Sequence, residues 1–131
     1  MPVGASAEIS RAFDARAVAG FAALAGDDNP VHLDAAFAAR SRFGAPIVHG
    51  MLAASLWGTL LGASLPGAVY LAQRVAFRRP VFVGEAVRAR LVVAALDAAG
   101  RRATCTTTIV KADGSLAADG EAVVLLPPAD D

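Results

Sequence analysis

The stretch MLAASLWGTLL, residues 51–61, carries no charged side chain. Its leucines recur at helical spacing and form one stripe: Leu52, Leu56 and Leu60. The other positions are apolar or small, so a helix over these residues has no face suited to water. We therefore predict that residues 51–61 form a helix buried nearly all round against a sheet. Gly62 and the Pro-Gly pair at 66–67 are expected to end it.

The chain that follows alternates between apolar and polar side chains with a period of two. In residues 85–96, Arg88 and Arg90 fall on one face of an extended chain, and four apolar residues fall on the other: Val87, Ala89, Leu91 and Val93. This alternation is typical of a half-buried strand. Three further strands are predicted at residues 69–79, 101–111 and 116–126.

Turn signals separate these strands and predict antiparallel connections. Residues 97–100 form a predicted turn, and Asp113-Gly114 is a strong hairpin signal. Pro80 has no N–H to donate to a ladder, so it should lie at a strand end or an edge. The predicted fold class is α+β, an antiparallel sheet with an apolar helix packed against it.

The first half of the chain favours helices. Residues 15–25 have high helix propensity and one apolar face, and Gly26 should end that helix. Residues 6–13 are a candidate first strand. Because the chain has 131 residues, of which 56% are hydrophobic, we expect one domain over residues 1–131 with a loose tail at 127–131.

Charge is balanced overall but unevenly distributed. Twelve basic and twelve acidic residues give no net charge, so neither nucleic acid nor a membrane surface is an expected partner. Residues 35–84 nevertheless contain no acid and five arginines: Arg40, Arg42, Arg74, Arg78 and Arg79. That stretch could bind a phosphorylated ligand. Alternatively, the arginines only cover a solvated surface.

The sequence predicts a cytoplasmic protein. Its single cysteine, Cys105, excludes an intrachain disulfide and fits a reducing compartment. No N-terminal signal pattern is visible. The apolar stretch 50–75 is interrupted too often by polar residues, Pro and Gly to be a membrane span.

The segment AGDDNPVHLD, residues 25–34, is the main candidate for chemistry. Structural roles account for most of its polar residues: Asp28, Asn29 and Pro30 as a turn, and Asp34 as the cap of a helix over residues 35–39. Neither role requires Asp27 or His32. These two residues lie on either side of an Asn-Pro turn, so they could fold back toward one site and carry acid–base chemistry. The alternative is an ordinary polar loop.

A second segment, APIVHG at residues 45–50, ends where the buried helix begins. The backbone N–H of Gly50 is one of the unsatisfied donors at a helix N-terminus, where negative charge is favoured. Because glycine has no side chain, a substrate oxygen could approach that amide. Alternatively, Gly50 relaxes a tight turn and His49 caps the helix or packs.

Four segments together resemble the MaoC-like (R)-specific enoyl-CoA hydratases: FAALAGDDNPVHLD at 21–34, IVHGM at 47–51, YLAQR at 70–74 and RPVFVG at 79–84. One departure is Ala25, where the family more often has Ser, Thr, Gly or Cys. The resemblance implies a hot-dog fold, in which an antiparallel sheet wraps round one long apolar helix, and a homodimer. The implied activity is the reversible addition of water to trans-2-enoyl-CoA, giving (R)-3-hydroxyacyl-CoA.

The resemblance also assigns roles to residues. Asp27 and His32 correspond to the family's catalytic pair, and the backbone amide of Gly50 corresponds to its oxyanion hole. Asn29 and His49 are expected to support the pair. No metal or cofactor is expected, because the thioester already acidifies C2 of the substrate, which itself carries the CoA.

The substrate should extend from Gly50 along the buried helix. Five residues are candidates for the walls of its acyl pocket, although they could equally fill the core: Met51, Leu52, Leu56, Trp57 and Leu60. Three arginines are candidates for contacts to the CoA phosphates: Arg74, Arg78 and Arg79.

Other functions stay open beside this one. The chain could be a 3-hydroxyacyl dehydratase of a specialised pathway, acting on CoA or acyl-carrier-protein thioesters. It could also be a non-catalytic hot-dog subunit that binds acyl thioesters. A hot-dog thioesterase is disfavoured, because such enzymes lack the paired Asp-x-Asn-Pro-x-His loop.

Overall fold

The computed structural model describes residues 2–128. Its elements follow in the order β1 (Ser6–Ala12), α1 (Ala15–Ala25), α2 (Pro30–Leu33), α3 (Ala35–Ala39), α4 (Gly50–Ser64), β2 (Val69–Phe77), β3 (Ala86–Leu96), β4 (Arg102–Lys111) and β5 (Leu116–Leu125). Every helix and strand predicted from the sequence is present, and α2 is an addition. Of the predicted tail, residues 127 and 128 follow β5 outside any strand, and 129–131 lie outside the described residues.

The strands form one five-stranded sheet in the order β1-β3-β4-β5-β2, and each neighbouring pair is antiparallel. The three C-terminal strands form the predicted meander, to which β1 and β2 add at the two sides. β2 is therefore an edge strand, and Pro80 lies just beyond its end, where its missing N–H breaks no ladder bond. No helix within residues 2–128 has the length and apolar character needed to span a membrane.

The helix α4 packs on one face of this sheet and contacts β1, β3 and β4. The expectation that it is buried nearly all round is wrong: its outer face, which includes Met51, Ser55 and Thr59, is exposed, because within the described chain the sheet covers only one side of it. Leu56 and Trp57 are its most deeply buried large residues, and they share one core with Leu91 of β3 and Ile109 of β4. The indole Nε1 of Trp57 donates to the Thr108 carbonyl oxygen at 3.1 Å, so the one polar group of that side chain is satisfied. An antiparallel sheet around a buried apolar helix is the hot-dog arrangement.

The expectation that Gly62 ends this helix is wrong. α4 continues through Gly62 to Ser64, and the Leu65 N–H donates to the Leu61 carbonyl oxygen at 2.8 Å. A glycine inside a helix costs only about 1 kcal/mol, and Gly62 does not adopt the positive φ of a glycine that ends a helix. The helix ends instead before Pro66, because a residue preceding proline is disfavoured in the α conformation.

The inner side of β2 carries a small polar network. Tyr70 Oη donates to Gln73 Oε1, and Gln73 Nε2 donates to Thr107 Oγ1 at 3.0 Å. Burial, with a smaller contribution from Cys105, raises the pKa of Tyr70 to about 12. The phenol therefore stays protonated near neutral pH and remains a hydrogen-bond donor, and the fully buried Thr107 has a partner.

Gly120 of β5 marks a close approach between two strands. A methyl group at this position would overlap the backbone oxygen of Arg74 in β2, so one of the two strands would have to move. We expect Gly120→Ala to lower the free energy of unfolding by about 1–3 kcal/mol, as overpacking does. Urea unfolding at a fixed protein concentration measures this change.

Gly20→Ala in α1 is the matched control, because a methyl group there meets nothing within 4 Å beyond its chain neighbours and the backbone of its own helix. It should raise the free energy of unfolding by about 0.5–1 kcal/mol, since alanine loses less backbone freedom in a helix. A Gly120→Ala variant as stable as the wild type would show that β2 and β5 separate at this point without cost.

Candidate active site

Two caps and a left-handed glycine shape the chain between α1 and α3. Gly26 ends α1 with a φ of 78°, a conformation that favours glycine. The side chain of Asn29 accepts a bond at 3.3 Å from the backbone of α2, and that of Asp34 accepts one at 3.0 Å from the backbone of α3. The predicted cap at Asp34 is thus confirmed. These turns bring Asp27 and His32 to the start of α4.

His32 is held through one ring nitrogen. Its Nδ1 lies 2.7 Å from the carbonyl oxygen of Ile47. A carbonyl can only accept, so Nδ1 carries the proton and donates it. In the neutral ring, Nε2 is then left as the atom that can take a proton.

His49 is buried, with 2% of its surface exposed. Its Nε2 lies 2.9 Å from the backbone oxygen of Asp27, so this nitrogen donates. Its ring stacks on that of His32, with centroids 3.8 Å apart and an interplanar angle of 27°. His49 occupies the N-cap position of α4 but makes no side-chain capping bond, so it packs and does not cap.

Asp27 has a fixed backbone and a loosely held side chain. Its Oδ1 lies 3.4 Å from the backbone nitrogen of Asn29, which is a long bond. Asp27 is exposed, and within residues 2–128 no basic side chain forms a salt bridge with its carboxylate. The carboxylate is therefore available to a molecule that enters the site.

Gly50 is the first residue of α4, so its N–H has no acceptor within the helix. A methyl group here would lie 2.7 Å from the ring of Phe77, which therefore covers the glycine closely. The free amide and the helix dipole together favour a negatively charged oxygen at this position.

Asp27, His32, His49 and Gly50 line one cavity of about 340 Å³. Its lining includes the polar residues Asp27, His32, His49 and Gly50, the arginines Arg42, Arg78 and Arg79, and apolar residues such as Ile47, Met51, Phe77 and Ile109. A volume of this size is within the range of small-molecule sites. The arrangement combines a proton acceptor, a carboxylate and an amide donor around one space.

The wall that carries Arg79 and Val81 is tied to the rest of the site by backbone contacts. The Val48 N–H donates to the Val81 carbonyl oxygen at 2.7 Å. Lys111 Nζ donates to the Pro80 carbonyl oxygen at 2.7 Å and pairs with Glu85 at 3.2 Å. The largely buried Lys111 thus holds this wall to β4.

Three residues here could in principle hold a metal ion, because ligand atoms of Asp27, His32 and His49 lie within 4.8 Å of one another. A shared ion would need each atom at about 2.0–2.2 Å. The two imidazoles are stacked with 27° between their planes, and one nitrogen of each already faces a backbone carbonyl oxygen, so each ring has one nitrogen left to offer an ion.

Comparison with known proteins places this geometry in a family. Residues 2–115 match the family described as MaoC like domain. The chain belongs to the MaoC-like family. An (R)-specific enoyl-CoA hydratase of Aeromonas caviae is 53% identical over 129 residues, which cover 97% of this chain and 96% of that protein. A 3-hydroxybutyryl-CoA dehydratase of Methylorubrum extorquens is 40% identical over 97% of this chain and 82% of that protein.

Solved structures agree with this assignment. The (R)-hydratase from A. caviae involved in PHA biosynthesis has a TM-score of 0.94 and 51% identity, covering 97% of this chain and 98% of that one. The MaoC-like chain therefore has the hot-dog fold that its sequence predicts.

The structure brings only some of the predicted substrate residues of this MaoC-like chain to the cavity. Three of them line it: Met51, Arg78 and Arg79. Four belong to or pack against the core, outside the described lining: Leu52, Leu56, Trp57 and Leu60. The physical reason is that the apolar face of α4 packs on the sheet, so among its residues only those of the first turn reach the cavity.

Arg74 is the other predicted residue that the structure places outside this lining. It lies on β2 opposite Glu121 of β5 and is exposed. Arg42, which no prediction assigned to the site, lines the cavity instead, with its guanidinium 4.8 Å from the Phe43 ring centroid. Arg42 is one of the five arginines in the acid-free stretch 35–84, but the sequence alone does not tell which of these arginines line the cavity.

Proposed function

We propose that this protein is an (R)-specific enoyl-CoA hydratase, a hydro-lyase that adds water reversibly to trans-2-enoyl-CoA to form (R)-3-hydroxyacyl-CoA. The observation that carries the proposal is the convergence of Asp27, His32 and the Gly50 amide on one cavity. The 53% identity to the A. caviae hydratase supports the same reaction and stereochemistry. Dehydration is the reverse of this reaction, and the M. extorquens relative is named for that direction.

Hydration of an enoyl thioester needs a base, an acid and a stabilised oxygen. In the proposed reaction, Asp27 and His32 hold the water, and one of them takes its proton as the water oxygen forms a bond to C3. The π electrons of the double bond shift toward the thioester oxygen, which accepts a hydrogen bond from the Gly50 N–H. The proton then returns to C2, so that one water molecule is added in total.

We also propose that this reaction needs no metal and no cofactor, because each step above uses only the chain and the substrate. The unpaired thiol of Cys105, which is buried in the core, supports a reducing, cytoplasmic location. One domain spanning residues 1–131 would suffice for the chemistry of a single site.

Asp27→Asn and His32→Gln should each lower kcat for crotonyl-CoA by about a hundredfold or more, because each removes a group that transfers a proton. Both residues lie in a loop or a short helix, so the folded state should persist. The loss of the enoyl-thioester absorbance measures turnover, and circular dichroism checks the fold.

Asp28→Asn is the matched control, since Asp28 is an exposed neighbour outside the described cavity lining. It should keep the wild-type kcat. Wild-type turnover in either catalytic variant would contradict the assignment. A wild type that releases free thiol without hydration would be a thioesterase, and one that binds crotonyl-CoA unchanged would be a non-catalytic subunit.

The phosphates of CoA require cationic partners near the cavity. Arg78 already forms a salt bridge with Asp119 at 2.9 Å, so the carboxylate partly neutralises its charge. Arg79 donates one N–H to the Leu116 carbonyl oxygen at 3.0 Å and keeps its other donors free. We propose that Arg42 and Arg79 are the main contacts to the CoA phosphates.

Arg42→Ala and Arg79→Ala should each raise the KM for crotonyl-CoA by about two- to fivefold, because an exposed ion pair contributes at most about 1 kcal/mol. Their kcat should stay at the wild-type value. Arg74→Ala, which changes an arginine outside the described cavity lining, is the control and should leave KM unchanged.

A short crotonyl thioester of N-acetylcysteamine has no phosphates, so its KM should not respond to either substitution. An unchanged KM for crotonyl-CoA at low salt would contradict the proposed contacts. A crotonyl acyl-carrier-protein substrate with a lower KM than crotonyl-CoA would favour the acyl-carrier-protein dehydratase instead.

We further propose that two copies associate through β2. This edge strand exposes three large apolar side chains, Val69, Leu71 and Phe77. Its outer side pairs with no other strand within the described chain. An unpaired apolar edge is a template for a second strand, and a second copy would cover it.

Sedimentation equilibrium should give twice the mass of the chain. Leu71→Lys should shift the equilibrium toward the single chain, because it places a charge on that edge. Leu24→Lys is the matched control, since Leu24 is 88% exposed on α1, away from β2. A single-chain mass for the wild type, or equal association of both variants, would contradict the proposal.

A further inference from the structure

Residues 47–50 contact both proposed proton-transfer residues. The Ile47 carbonyl accepts from His32 Nδ1 at 2.7 Å, and His49 Nε2 donates to the Asp27 backbone at 2.9 Å. The same segment ends in the Gly50 amide. One extended segment therefore sets the positions of all three proposed catalytic groups relative to one another.

His49 contributes two different contacts to this arrangement. Through Nε2–H it holds the main chain of Asp27, which is 22 residues away in sequence. Through its flat ring it covers one face of His32 at 3.8 Å. Because His49 fixes the backbone of Asp27, it also limits where the Asp27 side chain can lie. The stack and the bond to Ile47 together set the plane of the His32 ring.

The second ring nitrogen of His49 makes histidine a costly side chain at this position. With the proton on Nε2, its Nδ1 is a buried acceptor that has no hydrogen-bond partner among the described residues, which is unfavourable. A phenylalanine would supply the stack without that cost, and a glutamine would supply the donor. Among side chains of this size, only an imidazole supplies both at once.

We propose that His49 is a positioning residue, which fixes Asp27 through its backbone and His32 through ring stacking. The proposal rests on the proposed hydratase function. His49 transfers no proton in it, because its donor nitrogen is occupied by a carbonyl and the ring is buried. It acts through the two residues that contact the water.

Two variants separate the two contacts. His49→Phe keeps a flat ring against His32 and loses the bond to Asp27, whereas His49→Gln keeps a donor at the position of Nε2 and loses the stack. We expect each to lower kcat for crotonyl-CoA by about tenfold or more, since small misplacements of catalytic groups have large effects on rate. KM should change much less than kcat.

Double variants test whether the effect passes through the named partners. His49→Gln should cost little further kcat when His32 is already glutamine, because the stacked ring is gone. His49→Phe should likewise cost little when Asp27 is already asparagine. Losses that multiply in both double variants, or single variants that keep the wild-type kcat, would overturn the proposal.

A core substitution separates positioning from general destabilisation. Val18→Ala removes a buried side chain of α1 outside the described cavity lining. It should lower the free energy of unfolding and leave kcat unchanged. If Val18→Ala lowers kcat as much as the His49 variants do, the loss reflects stability alone and the proposal fails.

NMR of the histidine rings tests the role of His49 without an activity measurement. In the wild type, His32 should show one tautomer, protonated on Nδ1, because it donates to the Ile47 carbonyl. In His49→Gln that tautomer should persist, but the His32 ring resonances should shift, because the stacked ring is gone. Unchanged His32 shifts in that variant would overturn the proposal. A wild type that does not hydrate crotonyl-CoA would overturn the proposed function, while this NMR result would still report on the role of His49.

Discussion

The burial of α4 is the constraint on which the rest of the structure depends. The sheet has to cover the apolar face of this uncharged fifteen-residue helix, while its other face, which includes Ser55 and Thr59, is exposed. Trp57 anchors the helix to β4. Once the helix is fixed, its first residue is fixed too. Gly50 then presents its free amide at one end of the core, and the extended residues before it are held by Val81. The packing of a hydrophobic helix thus sets the position of the polar site.

Backbone carbonyls organise that polar site. His32 donates to Ile47, and His49 donates to Asp27. A carbonyl accepts and never donates, so it selects which ring nitrogen carries the proton without any charged partner. Ile47 also donates its own N–H to the Val31 carbonyl at 3.2 Å, which ties α2 to the same segment. The tautomer of each histidine therefore follows from the main-chain fold, and a substitution that moves the main chain would also change the chemistry.

The sequence predicts local features well because they depend on near neighbours. Period-two alternation predicts β3, and the Asp34 cap and the Gly26 stop follow from backbone chemistry within a few residues. The predicted end of α4 at Gly62 is wrong because a helix tolerates an interior glycine at about 1 kcal/mol, and Pro66 is the stronger stop. It is harder to predict which distant residues meet at one site, since that depends on which strands pair. β2 lies beside β5, the last strand in the chain, and this pairing, which sequence spacing does not encode, decides that Arg74 faces Glu121 while Arg78 and Arg79 reach the cavity.

The same geometry limits what can determine the length of a substrate chain. The leucines of α4 pack in the core, so among the residues of this helix only those near Gly50, such as Met51, can touch an acyl group in the cavity. The remaining apolar surface there comes from the sheet, from Ile109 of β4 and from the adjacent alanines Ala117 and Ala118 of β5. Alanines leave space where larger residues would fill it. Under the proposed function, chain-length selection therefore depends on the volumes of these strand residues and not on the leucines of the buried helix, which pack the core.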